Sequence, residues 1–118
     1  MSRSVRERID DIGDAIAQIR SLLSGRSFDQ LSQDRVATAA FERFLEIVSE
    51  ASRHIPEAMK ATEPEIPWRR IADIGNWLRH VYDRVDPELL WHIHEKDLDP
   101  LEEAIKRLAR KTPRVETD

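Results

Sequence analysis

Residues 5–23 read VRERIDDIGDAIAQIRSLL, and the apolar positions in this stretch decide the fold. Val5, Ile9, Ile12, Ile16, Ile19 and Leu23 step by four, three, four, three and four, which draws a narrow seam down one face of an α-helix. Ser4 offers an N-cap hydroxyl before the seam, and Gly25 just past it can take the left-handed backbone that closes a helix. The same period recurs downstream. From after Ser32 to about His54, Val36, Ala40, Phe44, Ile47, Val48, Ala51 and Ile55 mark a buried side, widened by Phe41 and Leu45, so this helix should touch more than one neighbour. A third helix starts at Pro67, where a missing N–H costs nothing, and steps through Ile71, Ile74, Leu78, Val81 and Val85. Asp86-Pro87 and Asp99-Pro100 each read as an N-cap followed by proline, opening two shorter helices through Leu89, Leu90 and Ile93 and through Leu101, Ala104, Ile105 and Leu108. No segment alternates with period two for long enough to make a strand. The expectation is an all-α, up-and-down four-helix bundle with a broken or extra C-terminal helix, one domain over residues 1–112 and a flexible tail over 113–118.

Composition narrows the function classes. The 118 residues are 40% hydrophobic and 36% charged, with a net charge of −4 and no cysteine. Disulfides, cysteine-ligated zinc and thiol catalysis are therefore excluded. No stretch approaches the roughly 20 apolar residues of a membrane span, and Met1 to Arg8 lead into no signal-peptide segment, so a cytoplasmic address with no membrane partner is expected. Arginine outnumbers lysine 15 to 4, a bias toward planar, multidentate contacts with carboxylates or phosphates.

The chemistry concentrates on the third helix. Opposite its apolar seam, Arg69, Asp73, Asn76, His80 and Asp83 stack along one face, with Arg79 and Tyr82 flanking it. An imidazole beside a carboxylate, an amide and a guanidinium can move a proton next to an anion, although a charged helix face is ordinarily just solvated. Arg69, Arg70, Arg79 and Arg84 would line the same side and attract phosphate. Gly75 sits mid-helix, where glycine costs roughly 1 kcal/mol relative to alanine, which points either to a close approach to the backbone by a partner helix or a ligand, or to simple tolerance of a weak helix former. Trp77, at the edge of the stripe, is either an interface anchor or partly buried within the monomer. Glu46 and Glu50 are one turn apart on the second helix and could orient Arg79 or His80 from the facing helix, or simply form ordinary salt bridges. His92 and His94, two apart, point to different sides of a helix and make a poor metal pair, and His54 reads as a cap on helix carbonyls. Trp68 and Trp91 read as core or semi-core residues.

Residues 66–98, IPWRRIADIGNWLRHVYDRVDPELLWHIHEKDL, resemble the C-terminal half of HepT-like proteins, members of the HEPN superfamily of helical ribonuclease and nucleotide-associated domains. Residues 44–56, FLEIVSEASRHIP, resemble that family's second-helix signature, a Leu-Glu-Ile-Ile-Gly-Glu-Ala pattern ending in proline. The resemblance runs from about residue 4 to 110. It implies a homodimer that is the toxin of a toxin–antitoxin pair, a metal-independent ribonuclease acting on RNA without a cofactor. The partner it implies is a minimal nucleotidyltransferase antitoxin that silences the toxin by transferring AMP to a tyrosine. The family motif, Arg-Asn, three residues, His, one residue, Tyr, maps onto residues 75–82, GNWLRHVY. Asn76 and His80 match, His80 as the implied acid/base, and Tyr82 matches as the implied AMP acceptor. The motif arginine does not match, because Gly75 stands in its place. Arg79 could substitute from the next turn, with Asp83, Glu46 and Glu50 in support. Equally, the chain could be a catalytically degenerate dimeric module that partners a nucleotidyltransferase or binds nucleotide.

Overall fold

The structure is a computed structural model, described for residues 3–78 and 87–114. Among these residues there are six helices and no strand: α1 (Val5–Leu23), α2 (Phe28–Gln33), α3 (Arg35–Ser52), α4 (Glu57–Lys60), α5 (Trp68–Asn76) and α6 (Pro87–Lys111). The all-α bundle expected from the periodicity is what forms.

Helices α1 and α3 begin where the sequence supplies a cap. Ser4 Oγ accepts the Glu7 N–H at 3.1 Å, and Gly25 adopts φ +74° just beyond α1. Asp34 caps α3, accepting from the Ala37 N–H at 3.0 Å and from Arg26 Nη1 at 2.8 Å. Those two bonds hold the Asp34 carboxyl below the usual carboxylate range. The short α2 has no counterpart in the expected layout. Its six residues are too few to show a period, but Ser27 and Gln30 form a reciprocal capping box and Leu31 is fully buried.

The core gathers Ile9, Ile12, Ile16 and Ile19 of α1 against Phe41, Leu45 and Val48 of α3, with Ile71 and Ile74 of α5 and Leu90, Leu98, Leu101 and Leu108 of α6. Burying each such side chain is worth about 1.5–3 kcal/mol, so the register of every helix is set by these residues. On α3 the buried stripe is rotated from the expected one. Phe41 and Leu45 lie at its centre, Phe44 and Ile47 are half-buried, and Val36 is 81% exposed. Packing against α1 on one flank and α5 on the other places the centre of the stripe between them.

The expected break at Asp99-Pro100 is not found. Helix α6 runs unbroken from Pro87 to Lys111 with Pro100 inside it. Proline there forfeits one helical hydrogen bond, but the burial of Leu98, Leu101, Ala104, Ile105 and Leu108 continues one apolar stripe straight through. Asp99 does not serve as a cap; it pairs with Arg20 of α1, which also reaches Glu102 at 3.2 Å. Beyond α6, Arg6 Nη1 donates to the Ala109 and Thr112 carbonyls at 2.8 and 2.7 Å, and Arg114 pairs with Asp10 at 3.3 Å. Residues 115–118 of the expected tail lie outside the described residues. Among the described residues, no helix is long and apolar enough to cross a membrane.

Candidate functional site

Ser49 joins α3 to α5. Its hydroxyl accepts the Gly75 N–H at 2.9 Å and donates to the Ala72 carbonyl at 2.8 Å, while being almost completely buried. One turn further along α3, Arg53 donates through Nε and Nη2 to the same Ala72 carbonyl at 3.1 and 2.8 Å. Rising residue numbers on α3 therefore meet falling numbers on α5, so the two helices run antiparallel. A side-chain hydroxyl reaches a peptide nitrogen in mid-helix most easily where no Cβ shields it, which accounts for glycine at position 75. The close approach expected at Gly75 is made by a neighbouring helix of the same chain.

This register places the remaining residues. Asn76 ends α5 and is exposed. Immediately after it, Trp77 and Leu78 adopt the wider π-helical backbone, a local loosening that often accompanies functional sites. Trp77 is half-buried against the core, the second of the two alternatives open to it. Arg79, His80, Tyr82 and Asp83 lie outside the described residues, as does Arg84.

Glu46, one turn before Glu50 on α3, pairs with Arg43 Nη1 at 3.4 Å. Glu42, one turn further, has its carboxyl pushed up by burial and by the like charge of Glu46. Glu46 and Glu50 line one groove of about 290 Å³ together with Arg43 and with Arg8 and Asp11 of α1. Glu50 accepts from His54 Nε2 at 3.1 Å, and this hydrogen bond holds its carboxyl below the usual range. His54 is therefore engaged by a glutamate side chain rather than by helix carbonyls. Ser49, the buried α3 side chain that bonds the α5 backbone, was missed by sequence reasoning; only its position three residues after Glu46 and four before Arg53 could have flagged it.

The arginines on α5 divide into two kinds. Arg70 pairs with the buried Asp97 of α6 and is held in a structural contact, contrary to its expected place on a phosphate-facing side. Arg69 is exposed and lines a separate pocket with Trp68. The Trp68 indole is half-buried and donates to the Lys60 and Glu63 carbonyls, both at 3.2 Å, as suits a semi-core residue. On α6, His92 is exposed while His94 turns inward, packing edge-on against Phe41 and Trp91. His94 Nδ1 is buried without a hydrogen-bond partner among the described residues, and burial together with the nearby Arg20 charge pushes the imidazole pKa down.

Comparison with known proteins places this arrangement in context. The HepT-like family, described as ribonuclease HepT-like, matches residues 12–108. A Thermococcus cleftensis protein named "Probable ribonuclease HepT" is 34% identical over 110 residues, covering 93% of this chain and all of that protein. A Caldanaerobacter subterraneus protein named as a candidate RNase is 33% identical over 89 residues, covering 75% of this chain and 80% of its own. A Methanocaldococcus jannaschii protein, also named as a candidate RNase, is 29% identical over 108 residues, covering 88% of this chain and 89% of its own. No solved structure matches the chain.

Proposed function

The chain belongs to the HepT-like ribonuclease family, and from that premise we propose that it is a metal-independent endoribonuclease, acting as a homodimer and forming the toxin of a toxin–antitoxin pair. The observation that carries this reading is the Ser49 bridge to Ala72 and Gly75. It pins α5 so that Asn76 emerges, exposed, at the start of the motif that runs on through Arg79, His80 and Tyr82.

The chemistry follows from the residue types. The RNA 2′-hydroxyl attacks the adjacent phosphorus, the P–O5′ bond breaks, and the 5′-oxygen leaves with a proton. His80 takes the proton from the nucleophile or gives one to the leaving group. One imidazole cannot stand on both sides of an in-line displacement, so two copies of His80 across a dimer cleft supply the pair. Arg79 takes over the charge stabilisation that the motif arginine would provide, and Asn76 orients the phosphate. A cognate minimal nucleotidyltransferase silences the site by placing AMP on the Tyr82 hydroxyl, which adds a charged phosphate beside His80. Glu46 and Asp83 orient the cations, and Glu50 supports the α3 side. The test is RNA cleavage by the pure protein in EDTA. Wild type should cleave and His80→Ala should not; equal cleavage by both would refute the assignment.

A second reading is favoured by one observation. Gly75 occupies the place of the motif arginine, is buried, and has its N–H engaged by Ser49. On this reading the chain is a catalytically degenerate dimeric module that holds a nucleotidyltransferase or a nucleotide through the same face. Absence of cleavage by wild type, together with a stable complex with the nucleotidyltransferase, selects it.

A further inference from the structure

A pocket of about 330 Å³ opens beside the N-terminal half of α5, lined by Glu57, Lys60, Trp68, Arg69 and Ala72. Two features set it apart from an ordinary charged surface. The Lys60 side chain is only 10% exposed, and its acidic partner is Glu57, 3.4 Å away and itself 92% exposed. A lysine whose stem is packed this tightly, with its ammonium facing only a solvated carboxylate at the long end of hydrogen-bond range, is weakly paired. Arg69 faces the same pocket and forms no ion pair among the described residues, not even with Asp73 one turn along. Two cations, Lys60 and Arg69, thus line a pocket that one exposed glutamate balances only in part, and an indole forms one of its walls.

We propose that this pocket is a subsite for a backbone phosphate of a single-stranded RNA, with Arg69 and Lys60 as its ligands. The proposal rests on the ribonuclease reading above and adds to it the path of the strand. Arg69 and Asn76 are seven residues apart on one helix face, about 10 Å along the axis, a separation that a few nucleotides span. A strand seated on Arg69 would then lead along α5 to the motif, flanking the reacting phosphate without contacting it. Arg70, tied to Asp97, takes no part.

The experiment measures binding of a fully 2′-O-methylated, uncleavable oligonucleotide across a salt series, beside cleavage of the unmodified RNA. Arg69→Ala should weaken binding about tenfold and reduce the salt slope by about 0.7, the value of one phosphate contact on a single strand. Arg69→Glu should weaken it further, while Arg35→Ala, on an exposed arginine outside this pocket, should change neither quantity. Lys60→Met keeps the buried stem and should mirror Arg69→Ala. Because Lys60 is buried, the Arg69 variants decide the outcome if Lys60→Met loses its helical circular dichroism. Unchanged binding by Arg69→Ala and Arg69→Glu overturns the subsite, and if His80-dependent cleavage persists alongside, the ribonuclease reading survives that failure. AMP binding as tightly as the oligonucleotide with the same dependence on Arg69 would make this a mononucleotide site and overturn the strand assignment. Failure of wild type to bind or cleave RNA overturns both readings together.

Discussion

The Ser49 hydroxyl on α3 holds the Gly75 N–H on α5 at 2.9 Å while donating to the Ala72 carbonyl at 2.8 Å. One buried side chain thereby ties together, at a single point, the two antiparallel helices that frame the candidate site. Ser52 donates in turn to the Ser49 carbonyl at 2.7 Å, extending the buried polar contacts along α3.

Replacing Ser49 with alanine removes the bridge and leaves two buried backbone groups with one partner fewer. The expected cost is about 1–3 kcal/mol, read as a lower urea midpoint with an unchanged slope. RNA cleavage should fall by more than the loss of folded protein explains, because the helix that presents Asn76 is then free to shift.

Arg79→Ala tests whether the guanidinium next to His80 has replaced the motif arginine. Losing a donor that stabilises developing phosphate charge typically costs 100–1,000-fold in rate, roughly 2.7–4 kcal/mol. A cleavage rate equal to wild type would show that Arg79 has no such role.

His94 makes stability depend on pH. Its imidazole is buried against Phe41 and Trp91 with Nδ1 unpartnered, and Arg20, Glu95 and Asp99 are the charges that bear on it. Burial lowers the folded-state pKa, so below the ordinary imidazole value near 6.5 the unfolded chain binds a proton that the folded chain refuses. Stability should therefore fall as pH drops below that value and level off once the folded-state pKa is passed. His94→Phe preserves the edge-on aromatic contacts and should remove this part of the acid sensitivity, measured as melting temperature between about pH 7.5 and about pH 5.

Pro100→Ala should stabilise the protein. Pro100 is exposed inside α6, and alanine restores the missing N–H at a site where proline is worth about 3 kcal/mol less than alanine. Part of that gain is offset by the freer unfolded chain, leaving about 1–3 kcal/mol, visible as a higher melting temperature. No gain would mean that the helix has adapted fully around the proline.

How much of this was legible beforehand can be traced residue by residue. The α1 seam from Val5 to Leu23, its Ser4 cap and the turn at Gly25 were readable because they depend on residues only a few places apart. The motif spacing from Gly75 to Tyr82 was readable for the same reason, and it led to the family. Local arithmetic misled where packing overruled it. Asp99-Pro100 carries the signature of a helix start, yet the apolar stripe from Leu98 to Leu108 outweighs one lost hydrogen bond, and Arg20 draws Asp99 away from capping.

By itself, then, the order of residues determined the helical character, the positions of α1 and α3 and the membership of the family, since each follows from periodicity, caps or a short motif. Only the folded arrangement decided which polar groups meet: Ser49 with Gly75, Arg70 with Asp97, and Lys60 beside Arg69. Those pairings span 26, 27 and nine positions along the chain, and they exist because the burial of Phe41, Leu45, Ile71 and Ile74 turns particular faces of separate helices toward one another. No local rule specifies such a rotation, because its energy belongs to the packed core as a whole.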